Sequence, residues 1–332
     1  MQTNSIDHVM PEEKTLISRS GNRRAVEKIY MVTHRYDLTN LIVCLASIKY
    51  WYPHARVVVI KNENNGKFDF DFLKDDFNVS FASETDYCFG KFYGSFEPFL
   101  SGKDERFIIV DTDIAFTGRI IDFLESRAED FVVDYEVQPL KKIKQLYWDP
   151  TGIGNYVSSY SDTWFTFNNG IMLGKGDKIR TTDMSDFMVW EKSKVPVMMN
   201  DTIFPTFDMS AINVVLNKKV SSNEITVSRE EIMIYPPNFK DSESALLNGI
   251  KERDGKEFRI IHWADQKYLR GHAKPLHKIF NFYKNFFFTQ TSKWNGIRIK
   301  LFMSYLKLEF NIKNNFTLKV NRMKTAIYKN GA

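Results

Sequence analysis

Apolar residues come in short blocks, separated by polar segments, along the first third of this 332-residue chain. Runs of branched and aromatic side chains at residues 28–34, 56–60 and 107–110 predict strands, and the uninterrupted run at 107–110 predicts a strand that is covered on both faces. Residues 38–52 carry apolar side chains at helical spacing instead, and Pro53 marks the end of that helix. This alternation of strands and helices predicts an α/β fold with a mostly parallel sheet.

The remaining apolar segments are less regular, and local pattern assigns them. We expect further strands at residues 79–82, 131–135 and 259–263, and further helices at 90–100, 181–192 and 208–218. Residues 141–161 contain proline and glycine and predict an irregular loop suited to a substrate. Residues 164–174 predict two strand pieces around Asn168-Asn169-Gly170, although the same three residues also suit a simple type I′ turn.

Two aspartates, Asp111 and Asp113, follow the strand at 107–110 with Thr112 between them. Open α/β sheets bind ligands at the carboxyl ends of their strands. Neighbouring carboxylates repel each other unless a cation lies beside them, and Mg2+ or Mn2+ commonly links such carboxylates to a substrate phosphate. We interpret the pair as a metal–diphosphate site. The alternative is an ordinary turn in which the aspartates cap a helix or bend the loop.

Composition indicates a folded protein, since aromatic residues make up 15% of the chain. No window of about 18 uninterrupted apolar residues predicts a spanning helix. The polar first residues lack the apolar core of a signal peptide. The two cysteines, Cys44 and Cys88, have no metal-ligand or redox spacing. We therefore expect a flexible leader at residues 1–27 and a cytoplasmic location.

Charge is distributed unevenly. Residues 276–332 contain eleven Lys or Arg, twelve aromatic residues and a single acid, Glu309, which leaves the rest of the chain net acidic. Basic amphipathic segments with Trp and Phe bind the interface of anionic membranes. We therefore expect peripheral association with the inner face of the cell membrane, and no nucleic-acid partner. The alternative is a helical segment that packs its aromatic side chains on the body.

Four segments in order carry a resemblance to a known family. They are Asp111-Thr112-Asp113, Phe167-Asn168-Asn169-Gly170, Asp208-Met-Ser-Ala-Ile-Asn213, and Ile261-His262-Trp263 with a later Lys274-Pro275. With them the chain resembles nucleotide-sugar-dependent glycosyltransferases of the GT-A fold, most nearly glycosyltransferase family 8 of the bacterial surface-glycan type. The resemblance implies a GT-A (Rossmann-like) domain at residues 28–275, with a mixed sheet flanked by helices. A basic, aromatic-rich C-terminal extension follows at 276–332.

The resemblance also implies roles for individual residues. Mn2+ or Mg2+ would be the cofactor, held by Asp111, Asp113 and His262. The donor nucleotide would contact Thr33, Tyr36, Asp37, Lys91, Asp111, Thr112, Asn168 and Lys267. Asp208 and Asn169 would act at the sugar, and Lys274 would stabilise the departing diphosphate, with Lys267 as the alternative for that task.

These roles describe the transfer of a sugar from a nucleotide sugar, UDP-linked by resemblance, to a glycan or lipid-linked acceptor. The family is retaining, whereas the residues by themselves do not choose between retention and inversion. A haloacid-dehalogenase-like phosphatase is a rival, but its Asp-x-Asp strand opens the domain and is followed by Thr or Val where this chain has Ala115. A non-catalytic sugar- or membrane-binding protein is the third interpretation, and it would have little use for the paired aspartates.

Overall fold

The computed structural model describes residues 25–62, 72–83, 97–100, 102–190, 196–254, 257–264 and 275–330. The strands are β1 (Val26–His34), β2 (Val57–Asn62), β3 (Val79–Ser83), β4 (Arg106–Val110), β5 (Ile114–Phe116), β6 (Phe131–Asp134), β7 (Ile171–Lys175), β8 (Met188–Val189), β9 (Val197–Met198), β10 (Val227–Glu230), β11 (Met233–Ile234) and β12 (Ile260–His262). The helices are α1 (Leu38–Trp51), α2 (Phe72–Phe77), α3 (Glu97–Leu100), α4 (Ile120–Glu125), α5 (Leu140–Leu146), α6 (Phe207–Ser221), α7 (Glu243–Glu252), α8 (His277–Gln290) and α9 (Lys293–Asn330).

A seven-stranded mixed sheet in the order β10-β6-β7-β4-β1-β2-β3 forms the centre of the fold. Strands β4, β1, β2 and β3 run parallel to one another. Strand β7 is antiparallel to both of its neighbours, β4 and β6. The predicted α/β class is therefore confirmed, with a mixed sheet flanked by helices.

Strand β4 separates two apolar clusters, as its uninterrupted apolar run predicts. Ile108 and Val110 belong to the cluster that contains α1. Phe107 and Ile109, which point to the other face because side chains alternate along a strand, belong to the cluster that contains α6. Every residue of β4 is buried, and Asp111, directly after the carboxyl end of the strand, is the next exposed residue.

A small second sheet, in the order β11-β12-β5, adjoins that end of β4. Strand β5 starts directly after the two aspartates and pairs antiparallel with β12, with His262 opposite Ile114. This pairing joins residues 114–116 to residues 260–262, which come about 145 positions later in the chain. It brings the end of β12 to the Asp-Thr-Asp turn.

The C-terminal helices differ in their packing. Helix α8 packs on α1, and Tyr283 is fully buried between them. Its hydroxyl donates to the Phe116 carbonyl (2.5 Å) and accepts from the indole N–H of Trp51 (3.1 Å). Packing on the body therefore accounts for the aromatic residues of α8. None of the described helices is long and apolar enough to cross a bilayer.

Most predicted elements of the sheet are confirmed to within a few residues, and two assignments are wrong. The helix predicted at 181–192 is a single 3-10 turn, Thr181–Met184, followed by β8, which pairs with β9. The Asp183 carboxylate accepts from the Arg180 backbone N–H (2.7 Å) at the start of the turn, and the pairing of β8 with β9 takes the chain out of a continued helix. Within the predicted loop at 141–161, the chain forms α5, which begins directly after Pro139. Of the helix predicted at 90–100, only α3 lies within the described residues.

Candidate functional site

Asp113 and His262 are held together by the pairing of β5 with β12. The Trp263 backbone N–H donates to the Asp113 carbonyl (2.9 Å), which extends the strand ladder past Ile114. The side chains then meet, with His262 Nε2 3.3 Å from Asp113 Oδ1. The contact is thus a consequence of strand register, and a shift by one residue would turn His262 to the other face of its strand.

Asp111 is fixed from the opposite side by the Asn168-Asn169-Gly170 turn. Its backbone N–H donates to the Gly170 carbonyl (2.7 Å), and the Asn168 side-chain oxygen accepts from the Gly170 N–H (2.8 Å). Gly170 also lies against the imidazole, because a Cβ built at this position would be 2.7 Å from His262 Cε1. The absence of a side chain at Gly170 is what allows the histidine to approach the turn.

Asp111, Asp113 and His262 offer one ligand atom each, and these atoms lie within 4.8 Å of one another. We call these three residues the metal set. Two carboxylate oxygens and one imidazole nitrogen suit Mg2+ or Mn2+. The buried His262 Nδ1 has no hydrogen-bond partner among the described residues, which is unusual for a buried polar atom. The donor set therefore fits a divalent ion.

The charges of the metal set favour a cation. Desolvation by the surrounding protein and then repulsion from Asp113 raise the pKa of Asp111. Asp111 also has an exposed side, so solvent weakens both effects. Burial is the largest single effect and lowers the pKa of His262, but the hydrogen bond to Asp113 and the negative charges of Asp113, Asp111 and Asp134 together raise it by more, so the net shift is upward. Carboxylates that resist ionising together are stabilised by a nearby positive charge.

Asp208 and Asn169 come together at the start of α6. The Asn169 side-chain amide donates to the Asp208 carboxylate (3.2 Å). The negative charge of Asp208 also contributes to the repulsion that raises the pKa of Asp111. Amide and carboxylate groups in such a pair can bind two neighbouring hydroxyls, the arrangement that a sugar presents.

Two further asparagines, Asn213 and Asn217, position this turn. Asn213 accepts from the Phe167 backbone N–H and donates to the Phe167 carbonyl, both at 3.0 Å. One helical turn later, Asn217 makes the same two bonds with Phe165, at 3.0 and 2.8 Å. The two amides thus act as a neighbouring strand for the segment that leads into Asn168. The sequence signal for this role is two amides four residues apart on a buried helix.

The predicted nucleotide loop forms a 3-10 turn, Arg35–Asp37, which we call the donor loop. His34 Nε2 lies 2.8 Å from the Asp37 carboxylate, and Asp37 adds to the charge around Asp111. The hydroxyl of Tyr36 donates to Glu309 of α9 (2.9 Å). Sequence patterns alone did not indicate this contact across 273 residues.

The other predicted residues fall into two groups. Thr33, at the end of β1, and Thr112, between the aspartates, are both buried. Lys91, Lys267 and Lys274 lie outside the described residues, so their assignments stay predictions.

No protein-family model and no curated protein matches the chain. Among solved structures, it is similar to the galactosyltransferase LgtC in complex with donor and acceptor sugar analogs, with 14% identity, coverage of 84% of this chain and 95% of that chain, and a TM-score of 0.39. It is also similar to the bifunctional glycosyltransferase WbbM, with 12% identity, coverage of 86% and 52%, and a TM-score of 0.47. The glycosyltransferase GlyE of Streptococcus pneumoniae TIGR4 has 11% identity, coverage of 88% and 64%, and a TM-score of 0.43. Each TM-score is below 0.5, so the function proposed below rests on the residues of the site.

The contact between Gly170 and His262 leads to a first prediction. Gly170→Ala should weaken Mn2+ binding by about tenfold or more, because the added methyl group displaces a histidine of the metal set. Isothermal titration calorimetry measures the affinity. Gly154→Ala is the matched control, since a Cβ there meets no atom within 4 Å. Equal affinities of Gly170→Ala and the wild type would show that His262 is not a ligand.

Proposed function

We propose that this chain is a metal-dependent glycosyltransferase that moves a sugar from a nucleotide sugar, with UDP as the expected carrier, to a glycan or lipid-linked acceptor. The observation that carries the proposal is the metal set, together with the Asn169–Asp208 pair beside it. A hard cation binds a diphosphate, and the amide–carboxylate pair binds hydroxyl groups. A nucleotide sugar presents both features, joined by one bond.

The chemistry divides among the residues of the site. Asp111, Asp113 and His262 would hold Mn2+ or Mg2+, which supplies positive charge to the diphosphate when bound. Asn169 and Asp208 orient the sugar hydroxyls. Lys274, or Lys267 in its place, is proposed to contact the leaving diphosphate.

Transfer breaks one bond and forms one. The acceptor hydroxyl oxygen bonds to the anomeric carbon as the bond from that carbon to the diphosphate oxygen breaks through an oxocarbenium-like state. In a retaining reaction, the one that we expect, the departing phosphate oxygen takes the hydroxyl proton on the same face. No protein carboxylate is then needed as the base, and Asp208 remains available to bind the sugar.

The donor proposal predicts metal-dependent binding of UDP. The wild type should bind UDP with Mn2+ and bind it at least about tenfold more weakly without the metal. Asp111→Asn and Asp113→Asn should lose the metal-dependent part, which calorimetry measures directly. Asp122→Asn, an exposed change in α4, is the control.

Two outcomes would count against this proposal. Absence of UDP binding with Mn2+ would exclude a UDP-sugar donor. Unchanged metal-dependent binding of UDP in both aspartate variants would exclude the metal set as the site of the ion.

A lipid-linked acceptor accords with the outer face of α9, which we call the apolar stripe. It consists of six exposed residues spaced by three or four positions: Trp294, Ile297, Leu301, Tyr305, Leu308 and Ile312. Exposed basic residues lie between them, and Glu309, the single acid of residues 276–332, is paired with Arg35 of the body. An apolar face bordered by basic residues is complementary to an anionic lipid surface. Two such faces from two copies would bring like charges together.

The stripe predicts binding to vesicles. Protein should sediment with vesicles that contain phosphatidylglycerol and much less with pure phosphatidylcholine, and the anionic binding should weaken at high salt. The double variant Leu301→Gln/Leu308→Gln should reduce vesicle binding about tenfold or more. Leu140→Gln is the matched control, because Leu140 is as exposed as Leu301, at 67% each. Equal vesicle binding by the double variant and the wild type would contradict the lipid assignment. So would a wild type that is dimeric in solution and a double variant that is monomeric, since the stripe would then bind a second copy of the chain.

A further inference from the structure

One carboxylate on the inner edge of α9 contacts two residues of the donor loop. Glu309 Oε2 lies 2.7 Å from Arg35 Nη2, and Glu309 Oε1 accepts from the Tyr36 hydroxyl at 2.9 Å. Both oxygens of the carboxylate are thus engaged by neighbouring residues of one turn. Charge-assisted bonds of this kind are about twice as strong as neutral ones.

Aromatic contacts add to the packing between α9 and the donor loop. Tyr36 meets Phe310 edge-on, with ring centroids 5.8 Å apart, and the Arg35 guanidinium carbon lies 5.5 Å from the centre of the Tyr36 ring. The side chains of Arg35 and Glu309 are only 16% and 18% exposed. Partial burial reduces screening by solvent, so this ion pair is stronger than one on the open surface.

Glu309 is the one acidic residue among residues 276–332, and every other charged residue of this segment is basic. It lies where α9 faces Arg35 and Tyr36. The donor loop follows the carboxyl end of β1, which pairs in parallel with β4, so the loop and Asp111 lie at the same edge of the sheet. Fixing the loop from α9 therefore fixes groups beside the site where the nucleotide is expected.

We propose that Glu309 is a positioning residue for the donor nucleotide, and that α9 contributes to the donor site by holding Arg35 and Tyr36 in place. The role rests on the proposed function, since it presumes a nucleotide beside this loop.

The test compares Glu309→Ala and Glu309→Gln with the wild type in the full-length chain. Calorimetry measures UDP affinity at saturating Mn2+, and electron paramagnetic resonance measures Mn2+ affinity separately. Hydrogen exchange of the donor-loop amides reports the order of the loop. Lys307→Gln, an exposed change of one charge on the same helix, is the control.

We expect Glu309→Ala to weaken UDP binding about tenfold, to leave Mn2+ affinity within about twofold, and to speed amide exchange in the donor loop. Glu309→Gln keeps an acceptor for one of the two partners, so its UDP affinity should be intermediate. Because glutamine has the same size and shape as glutamate, this variant also controls for misfolding. A merely structural contact would lower thermal stability without separating UDP affinity from Mn2+ affinity.

The outcomes distinguish this role from the function on which it rests. Wild-type protein that binds UDP beside Glu309 variants that bind it equally well would overturn the role of Glu309 alone. Failure of the wild type to bind UDP would overturn the proposed function and this role together. Parallel loss of UDP and Mn2+ affinity in both variants would show a general disturbance of the site and would also overturn the role.

Discussion

Antiparallel pairing between β5 and β12 is the contact on which the candidate site depends. One ladder places the histidine that ends β12 next to the aspartate that precedes β5, with His262 opposite Ile114 and the Trp263 N–H on the Asp113 carbonyl. On the other side, the bond from the Asp111 N–H to the Gly170 carbonyl attaches the end of β4 to the Asn-Asn-Gly turn. The metal set therefore owes its geometry to backbone hydrogen bonds. Side-chain packing then makes the approach close, because Gly170 leaves room for the imidazole.

Residues distant in sequence reach this edge for different physical reasons. Asp111 and Asp113 are there because a fully buried strand ends. Asn168 and Asn169 are there because the side chains of Asn213 and Asn217 hydrogen-bond the backbone of the preceding residues, as a neighbouring strand would. Each of these supports lies on an element of the core. A site carried by rigid elements holds its charged groups close together, and their mutual repulsion favours a bound cation.

The sheet was predictable because its strands have strong local signals. The apolar run of β4 and the helical spacing of α1 each predict their element without knowledge of the rest of the chain, and the aspartates follow from where β4 ends. The pairing of β5 with β12 was not predictable, since neither three-residue strand specifies its partner by pattern. The helix predicted at 181–192 is wrong because β8 pairs with β9, a contact with a later segment that local pattern does not show. The contact of Glu309 with Arg35 and Tyr36 depends on how α9 packs, which charge counts do not reveal.

Crystals grown or soaked with Mn2+ and UDP, measured for the anomalous scattering of manganese, test the central claim most directly. The account predicts one strong anomalous peak about 2.0–2.3 Å from an oxygen of Asp111, an oxygen of Asp113 and a nitrogen of His262, with diphosphate oxygens completing the shell. A manganese ion bound to UDP without His262, or located away from the two aspartates, would contradict it.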